Sequence, residues 1–223
     1  MNHKKITAII PMRAGSQRVK NKNIRIVNGR YLFEYIIDTI LKLNEVTEIL
    51  INTDISTIKN VINDCNKIKF IDRPENMKGN CNINDVIENS IRHTENDYFI
   101  QVHVTNPLLT HQTLGKAIAR YFKYCEKFDS MFGVTRVQKR FWKSDCSPFN
   151  HELSDEPTTQ NLEVIFEENS CLYIFSRDSF NKNKNRIGKT PSIFEIPKLE
   201  AWDIDDEQDL KIVQNMLVDP KED

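Results

Sequence analysis

The chain has 223 residues, 28% charged and 39% hydrophobic, enough for one α/β domain with a buried core. Lysine plus arginine number 31 and aspartate plus glutamate 32, a net charge of -1, which excludes a dedicated nucleic-acid or polyanion binder with its strong basic excess. No apolar run approaches the roughly 18–20 residues of a membrane span, so no membrane partner is expected.

Met1, Asn2, His3, Lys4 and Lys5 lead into a strand-like segment with no apolar signal core. Cys65, Cys81, Cys125, Cys146 and Cys171 are scattered and never form C-x-x-C, which argues against a zinc site or redox pair. Together these features predict a cytoplasmic protein with reduced thiols.

Lys5 to Pro11 is short, continuous and β-branched, which predicts a strand buried on both faces. A basic stretch, Arg13 to Asn23, follows. Leu32, Tyr35, Ile36, Ile40 and Leu43 fall at helical spacing. Glu48 to Asn52 predicts a second strand, ending in Thr53 and Asp54. Ser56 can cap a helix running to about Cys65. Lys69 to Asp72 reads as a strand closed by Arg73 and Pro74, and Asn84 to His93 as a helix. Tyr98 to Val104 is again strand-like, before Thr105, Asn106 and Pro107. Leu114 to Tyr124 predicts a helix, and Ser130 to Val137 a strand.

From Gln138 to Gln160 the alternation stops. Aromatic and charged residues mix there around Pro148 and Pro157. The segment is too short for its own core and predicts an excursion from the main sheet. Asn169 to Phe175 and Ser192 to Ile196 then predict strands, and Glu207 to Leu217 a closing helix.

This order predicts a single α/β domain over residues 1–223, a mostly parallel twisted sheet with helices on both faces, Rossmann-like in build. In such sheets ligands bind beyond the carboxyl ends of the strands. The segments Arg13–Asn23, Thr53–Asp54, Arg73–Pro74 and His103–Pro107 all lie at strand C-termini and should converge.

The first of these carries the clearest chemistry. Arg13, Arg18, Lys20 and Lys22 surround a turn that Gly15 permits, and the backbone N–H groups near Ala14, Gly15 and Ser16 can form a concave anion site. Arginine and lysine add charge-assisted bonds to phosphate. The spacing is neither a Walker A loop nor G-x-G-x-x-G. The competing reading is a solvated basic loop. Asp203 and Asp205, separated by one residue, can turn hard oxygen ligands toward one Mg2+. Asp205, with Asp206 and Glu207, can also serve as an acidic start for the last helix, and both roles are compatible.

The Pro11–Asn23 segment resembles the opening signature of the cytidylyltransferases that activate acidic sugars, the acylneuraminate and 3-deoxy-manno-octulosonate enzymes. Arg13, Gly15, Ser16, Lys22 and Asn23 match A-R-x-G-S-K-x-x-x-x-K-N. Gln17 stands at the family's lysine, with Arg18 beside it as a candidate for the missing charge. Ile51–Asp54, Arg73–Glu75, Thr105–Leu108, Asn169–Tyr173 and Asp203–Asp205 resemble further family segments, in the family's order. His103 and Val104 replace its Gln-Pro, and Ser170 replaces a glycine.

The resemblance implies a nucleotide-diphospho-sugar transferase-like fold and transfer of CMP from CTP to an acidic sugar, with pyrophosphate released. It implies that Arg13, Ala14, Gly15, Ser16 and Lys22 hold the triphosphate, that Asn23 meets the cytosine and that Arg73 lies near the nucleotide. Asp203 and Asp205 would bind magnesium, and Arg13, Lys22 and Asp203 would carry catalysis. His103, Lys143 and Tyr173 fall at acceptor-sugar positions. Each has a structural alternative: a polar residue closing a strand, a surface lysine and a core aromatic. The 138–160 segment would make a homodimer and lend residues to the neighbour's site. Two rival functions remain, a nucleotide-sugar-dependent glycosyltransferase using Asp203–Asp205 as a D-x-D motif, and a non-catalytic nucleotide-binding protein of the same fold.

Overall fold

The structure, a computed structural model, describes residues 4–16, 18–62, 65–79, 81–153 and 158–217. Gln17, Pro157 and the rest of 154–157 lie outside the described residues.

Strand β1 (Ile6–Met12) is followed by a small hairpin, β2 (Ile26–Val27) and β3 (Arg30–Tyr31), and by helix α1 (Leu32–Leu41). Then come β4 (Val46–Thr53), β5 (Ile68–Asp72), α2 (Ile83–Ile91), β6 (Tyr98–Val102), α3 (His111–Tyr124) and β7 (Ser130–Val137). The chain closes with β8 (Ile165–Ser176), α4 (Arg177–Asn183), β9 (Pro191–Glu195) and α5 (Glu207–Met216). Seven strands form one sheet in the order β5-β4-β1-β6-β8-β7-β9. β8 pairs antiparallel with β6 and β7, while the β1–β4, β1–β6, β4–β5 and β7–β9 pairs are parallel.

Alternation along the central strands builds two core layers. Ile6, Ala8, Ile10 and Met12 of β1 face a cluster that includes Phe33, Ile36 and Ile40 of α1 and Leu114, Ala117 and Ile118 of α3. Ile9 faces the other way, onto Ile87 and Ile91 of α2, Phe175 of β8 and Phe180 of α4. Both faces of β1 are therefore dry, which is why its sequence runs apolar without a break. Burying each large side chain contributes about 1.5–3 kcal/mol.

A third, smaller cluster determines where the basic loop sits. Val19 from that loop packs with Val27, Leu32, Ile204, Leu210 and Val213. An apolar nail in an otherwise charged segment thus joins it to the chain around α5.

Several expectations change. The helix predicted from Ser56 is a 3-10 stretch, Ser56–Asn60. Its run of β-branched residues (Ile55, Thr57, Ile58, Val61, Ile62) is poor helix material, and Asn63 and Asp64 lie outside the described residues. The strand predicted from Asn169 begins at Ile165 and runs through Ser176. Its first four residues pair with Val134–Val137 of β7, and the pairing shifts between Phe132 and Val134. Asn169 stitches the irregularity: its Oδ1 accepts from the Cys171 N–H and its Nδ2 donates to Thr135 Oγ1. Ser170 takes a left-handed φ of 58° there, a conformation that glycine adopts freely. α4 was not visible as a period, being only seven residues long.

Candidate active site

Chain order moves from β1 out to β4 and β5, then returns to β6 on the other side of β1. That reversal opens a crevice at the strand C-termini. A cleft of about 430 Å³ lies there, with Arg13, Ser16, Lys22, Asn23, Arg73, His103, Asp203 and Asp205 in its walls. Eight predicted site residues, from four separate segments of the chain, thus share one cavity.

The basic loop is held in several places. Gly15 turns the chain at φ 73°, and a Cβ there would meet nothing within 4 Å, so the glycine serves backbone conformation and not space. Asn21, at φ 55°, starts the short 3-10 turn Lys22–Ile24. Asn23 Nδ2 donates to the Arg13 carbonyl at 2.9 Å, closing the loop on itself. The Ala14 N–H, expected to face phosphate, donates instead to Asp54 Oδ1 at 2.6 Å. A carboxylate from the end of β4 already sits on that part of the anion-binding turn.

Arg73 is almost fully buried. Its Nε donates to Asn52 Oδ1 at 3.1 Å and its Nη2 to the Asn52 carbonyl at 3.2 Å. Asn52 is itself fixed through Asn89 and Ser90 of α2. Burial works against the guanidinium charge, and the Asp54 carboxylate opposes that effect.

The opposite wall is acidic. Asp206 accepts from the Gln208 and Asp209 N–H groups, and the Asp209 carboxylate accepts back from the Asp206 N–H, a reciprocal cap on α5. Helix capping therefore uses Asp206 and Asp209 and leaves Asp203 and Asp205 to the cleft. Burial pushes the Asp203 carboxyl up from its usual range, with a hydrogen bond from Thr105 opposing the shift. Its Oδ1 is buried without a hydrogen-bond partner among the described residues. A buried, unpaired carboxylate oxygen is costly unless a cation or donor completes it.

Lys22 joins the two walls. Its ammonium donates to the Ile204 carbonyl at 2.5 Å and lies 3.8 Å from Asp205. Arg18 reaches the same carboxylate at 2.8 Å. The candidate for Gln17's missing charge thus pairs with Asp205, while Gln17 itself lies outside the described residues.

His103 lies in the wall behind Lys22. Its Nε2 is 2.7 Å from Gln101 Nε2, and Gln101 Oε1 accepts from Arg186 Nη1 at 2.7 Å. Burial first, then the Arg186 and Lys22 charges, pull the imidazole down to about 4. Two acceptor-site expectations are relocated. Tyr173 is 0% exposed, its hydroxyl donates to Glu168, and Arg186 stacks on its ring at 3.5 Å. It backs the wall from inside because β8 turns its side chain into the core layer of Ile9, Ile87 and Ile91. Lys143 is exposed in the 138–153 excursion, away from this cleft, in a turn whose backbone pairs with Ser147. Arg186 was missed: it follows a run of alternating asparagines and lysines that reads as a solvated loop.

Residues 7–212 match the family model described as cytidylyltransferase, and the chain belongs to that family. It is, by class, a CTP-using nucleotidyltransferase. It is 24% identical over 226 residues to the post-translational flagellin modification protein B of Campylobacter coli, covering 95% of this chain and 94% of that one. It is also 24% identical over 224 residues to an N-acylneuraminate cytidylyltransferase of Escherichia coli, covering 93% of this chain but 51% of the relative. The chain spans about half the length of that enzyme. A solved structure of CMP:2-keto-3-deoxy-manno-octonic acid synthetase complexed with CTP superposes at a TM-score of 0.69 with 13% identity, over 95% of this chain and 98% of that one. That likeness is one of fold. No helix among the described residues is long and apolar enough to cross a membrane.

Proposed function

We propose that this chain transfers CMP from CTP to the hydroxyl of a 2-keto acid sugar. The acceptor oxygen attacks the α-phosphorus, the bond to the bridging oxygen breaks, and pyrophosphate leaves. The observation that carries the reading is the junction at Lys22, where a basic loop and a carboxylate pair share one cleft. Such a site suits a triphosphate and its counter-cation. The names of the relatives, an N-acylneuraminate enzyme and an octonic-acid synthetase, support an acidic acceptor.

In this reading Arg13, Ser16 and Lys22 grip the triphosphate, and Arg13 and Lys22 stabilise charge on the departing pyrophosphate. Asn23 meets the cytosine and Arg73 borders the nucleotide. Holding donor and acceptor in line supplies much of the rate enhancement. The pair Asp203 and Asp205 fits Mg2+: the orphaned Asp203 oxygen wants a cation, and magnesium takes a few carboxylates with phosphate and water completing its shell. When bound, magnesium neutralises phosphate charge and lowers the acceptor hydroxyl's pKa. His103 faces the acceptor.

The chain acts as a single-domain homodimer in this account. Phe141, Trp142, Phe149 and Leu153 stand exposed on the excursion, an apolar group with no core beneath it. Lys143, on the same excursion, would serve the neighbour's cleft. The absence of a basic excess argues against a nucleic-acid partner, and the scattered cysteines suit a cytoplasmic setting.

A thermal-shift comparison separates this reading from a glycosyltransferase. CTP with magnesium should raise the melting temperature, because a ligand bound only by the native state stabilises it. A rise with UDP-sugars and none with CTP would support the rival.

A further inference from the structure

The contacts behind His103 fix more than its position. Arginine has no acceptor, so the oxygen of the Gln101 amide must face Arg186, where Nη1 lies 2.7 Å from Oε1. The Gln101 nitrogen, a pure donor, is thereby turned to His103 Nε2 at 2.7 Å. Only a lone pair on Nε2 can receive it. An imidazolium would oppose N–H to N–H, so the ring is neutral and its proton is on Nδ1.

Both outer members are well held. Gln101 is 0% exposed within β6. Arg186 stacks on the Tyr173 ring, and its backbone N–H donates to Asn84 Oδ1 at 3.3 Å. No ion pair to Arg186 is seen among the described residues; the Glu168 carboxylate, bonded to the Tyr173 hydroxyl, acts on it only through space. The imidazole forms part of the cleft wall. The ring is half-buried, and with Nε2 taken by Gln101 its Nδ1 is the nitrogen left for a ligand. The low basicity of His103 agrees with this arrangement.

We infer that Arg186 and Gln101 are positioning residues that hold His103 as an Nδ1–H donor, so that His103 receives the carboxylate of the acceptor sugar and does not take the proton of its hydroxyl. The positive field of Arg186 and Lys22 favours an anionic oxygen at that place over a neutral one. This assignment rests on the acid-sugar reading of the cleft, but its structural half does not.

The test has two parts. Long-range proton–nitrogen correlation on the intact protein labelled with 15N-histidine reads the tautomer without substrate, the His103 signal being identified by its loss in His103→Gln. An Nδ1–H ring at pH 7 is expected. An Nε2–H ring or an imidazolium overturns the inference, whatever the enzyme turns over. Gln101→Glu supplies an acceptor to both neighbours and should move the proton to Nε2. The acid-sugar KM should then rise about tenfold while the CTP KM stays unchanged. Arg186→Met, which frees the Gln101 amide to rotate, should raise the same KM even if Gln101→Glu fails to fold, and Arg186→Lys should restore part of the loss. A switched tautomer with an unchanged acid-sugar KM overturns the carboxylate assignment. Absence of turnover by the wild type with CTP and every acid sugar would instead overturn the reading of the cleft, leaving the tautomer result standing.

Discussion

Lys22 Nζ donates to the carbonyl of Ile204 at 2.5 Å, across 182 residues of sequence. The acceptor lies between Asp203 and Asp205, so one ammonium ties the basic loop to the backbone that carries both carboxylates. Val19 and Ile204 belong to one buried apolar cluster beside this bond. The apolar contact places the loop, and the polar contact fixes the register of the two walls.

Removing that ammonium should therefore cost more than one phosphate contact. Lys22→Met is expected to lower kcat by about a hundredfold or more, as for loss of a preorganised donor at developing charge. Its melting temperature should fall only slightly, because Val19 stays in place. Steady-state kinetics and calorimetry on the same preparation check both halves.

Asp203→Asn separates function from stability in the opposite sense. The buried carboxylate is unfavourable in the free protein, since burial already raises its pKa. The amide should leave the melting temperature unchanged or higher, while magnesium-dependent turnover is lost. A variant that keeps wild-type activity would remove Asp203 from the site.

The neutral state of His103 has a signature in stability. Its folded pKa is lowered from 6.5 to about 4, so the unfolded chain binds the proton first as pH falls. Stability is full above pH 6.5 and is lost progressively toward pH 4, by up to about 3 kcal/mol. Urea denaturation at pH 7.5 and 5.0 should show this slope in the wild type and a shallower one in His103→Gln.

Gly133 lies beside the irregularity in β7 and β8. A Cβ there would come within 2.6 Å of Ile196 Cδ1 and 2.8 Å of Asn169 Oδ1. Gly133→Ala should destabilise the fold by about 1–3 kcal/mol through overpacking, measured as a lower urea midpoint with an unchanged slope.

The excursion makes a prediction about assembly. Trp142 is 54% and Phe149 61% exposed. Light scattering should give twice the chain mass, and Phe149→Asp should shift the population to monomer. A wild-type monomer at working concentration would contradict the dimer.

Much of this was legible in sequence because it is local. The unbroken apolar run of β1 marks a strand dry on both faces. A parallel sheet then places the segments after β1, β4 and β6 together without further information. What stayed hidden depends on distant partners. Nothing near Tyr173 says that β8 runs antiparallel and turns this ring into the core. Nothing near Arg186 says that it stacks on Tyr173 and orients Gln101. Asp54, noted only as a strand end, proves to hold the Ala14 N–H, a pairing that no periodicity encodes.

The most direct test of the central claim is pyrophosphate release by the wild-type chain with CTP, magnesium and a panel of 2-keto acid sugars. The account predicts release that requires CTP, magnesium and one of the acids together. Release with UTP or a sugar 1-phosphate, and none with CTP, would contradict it.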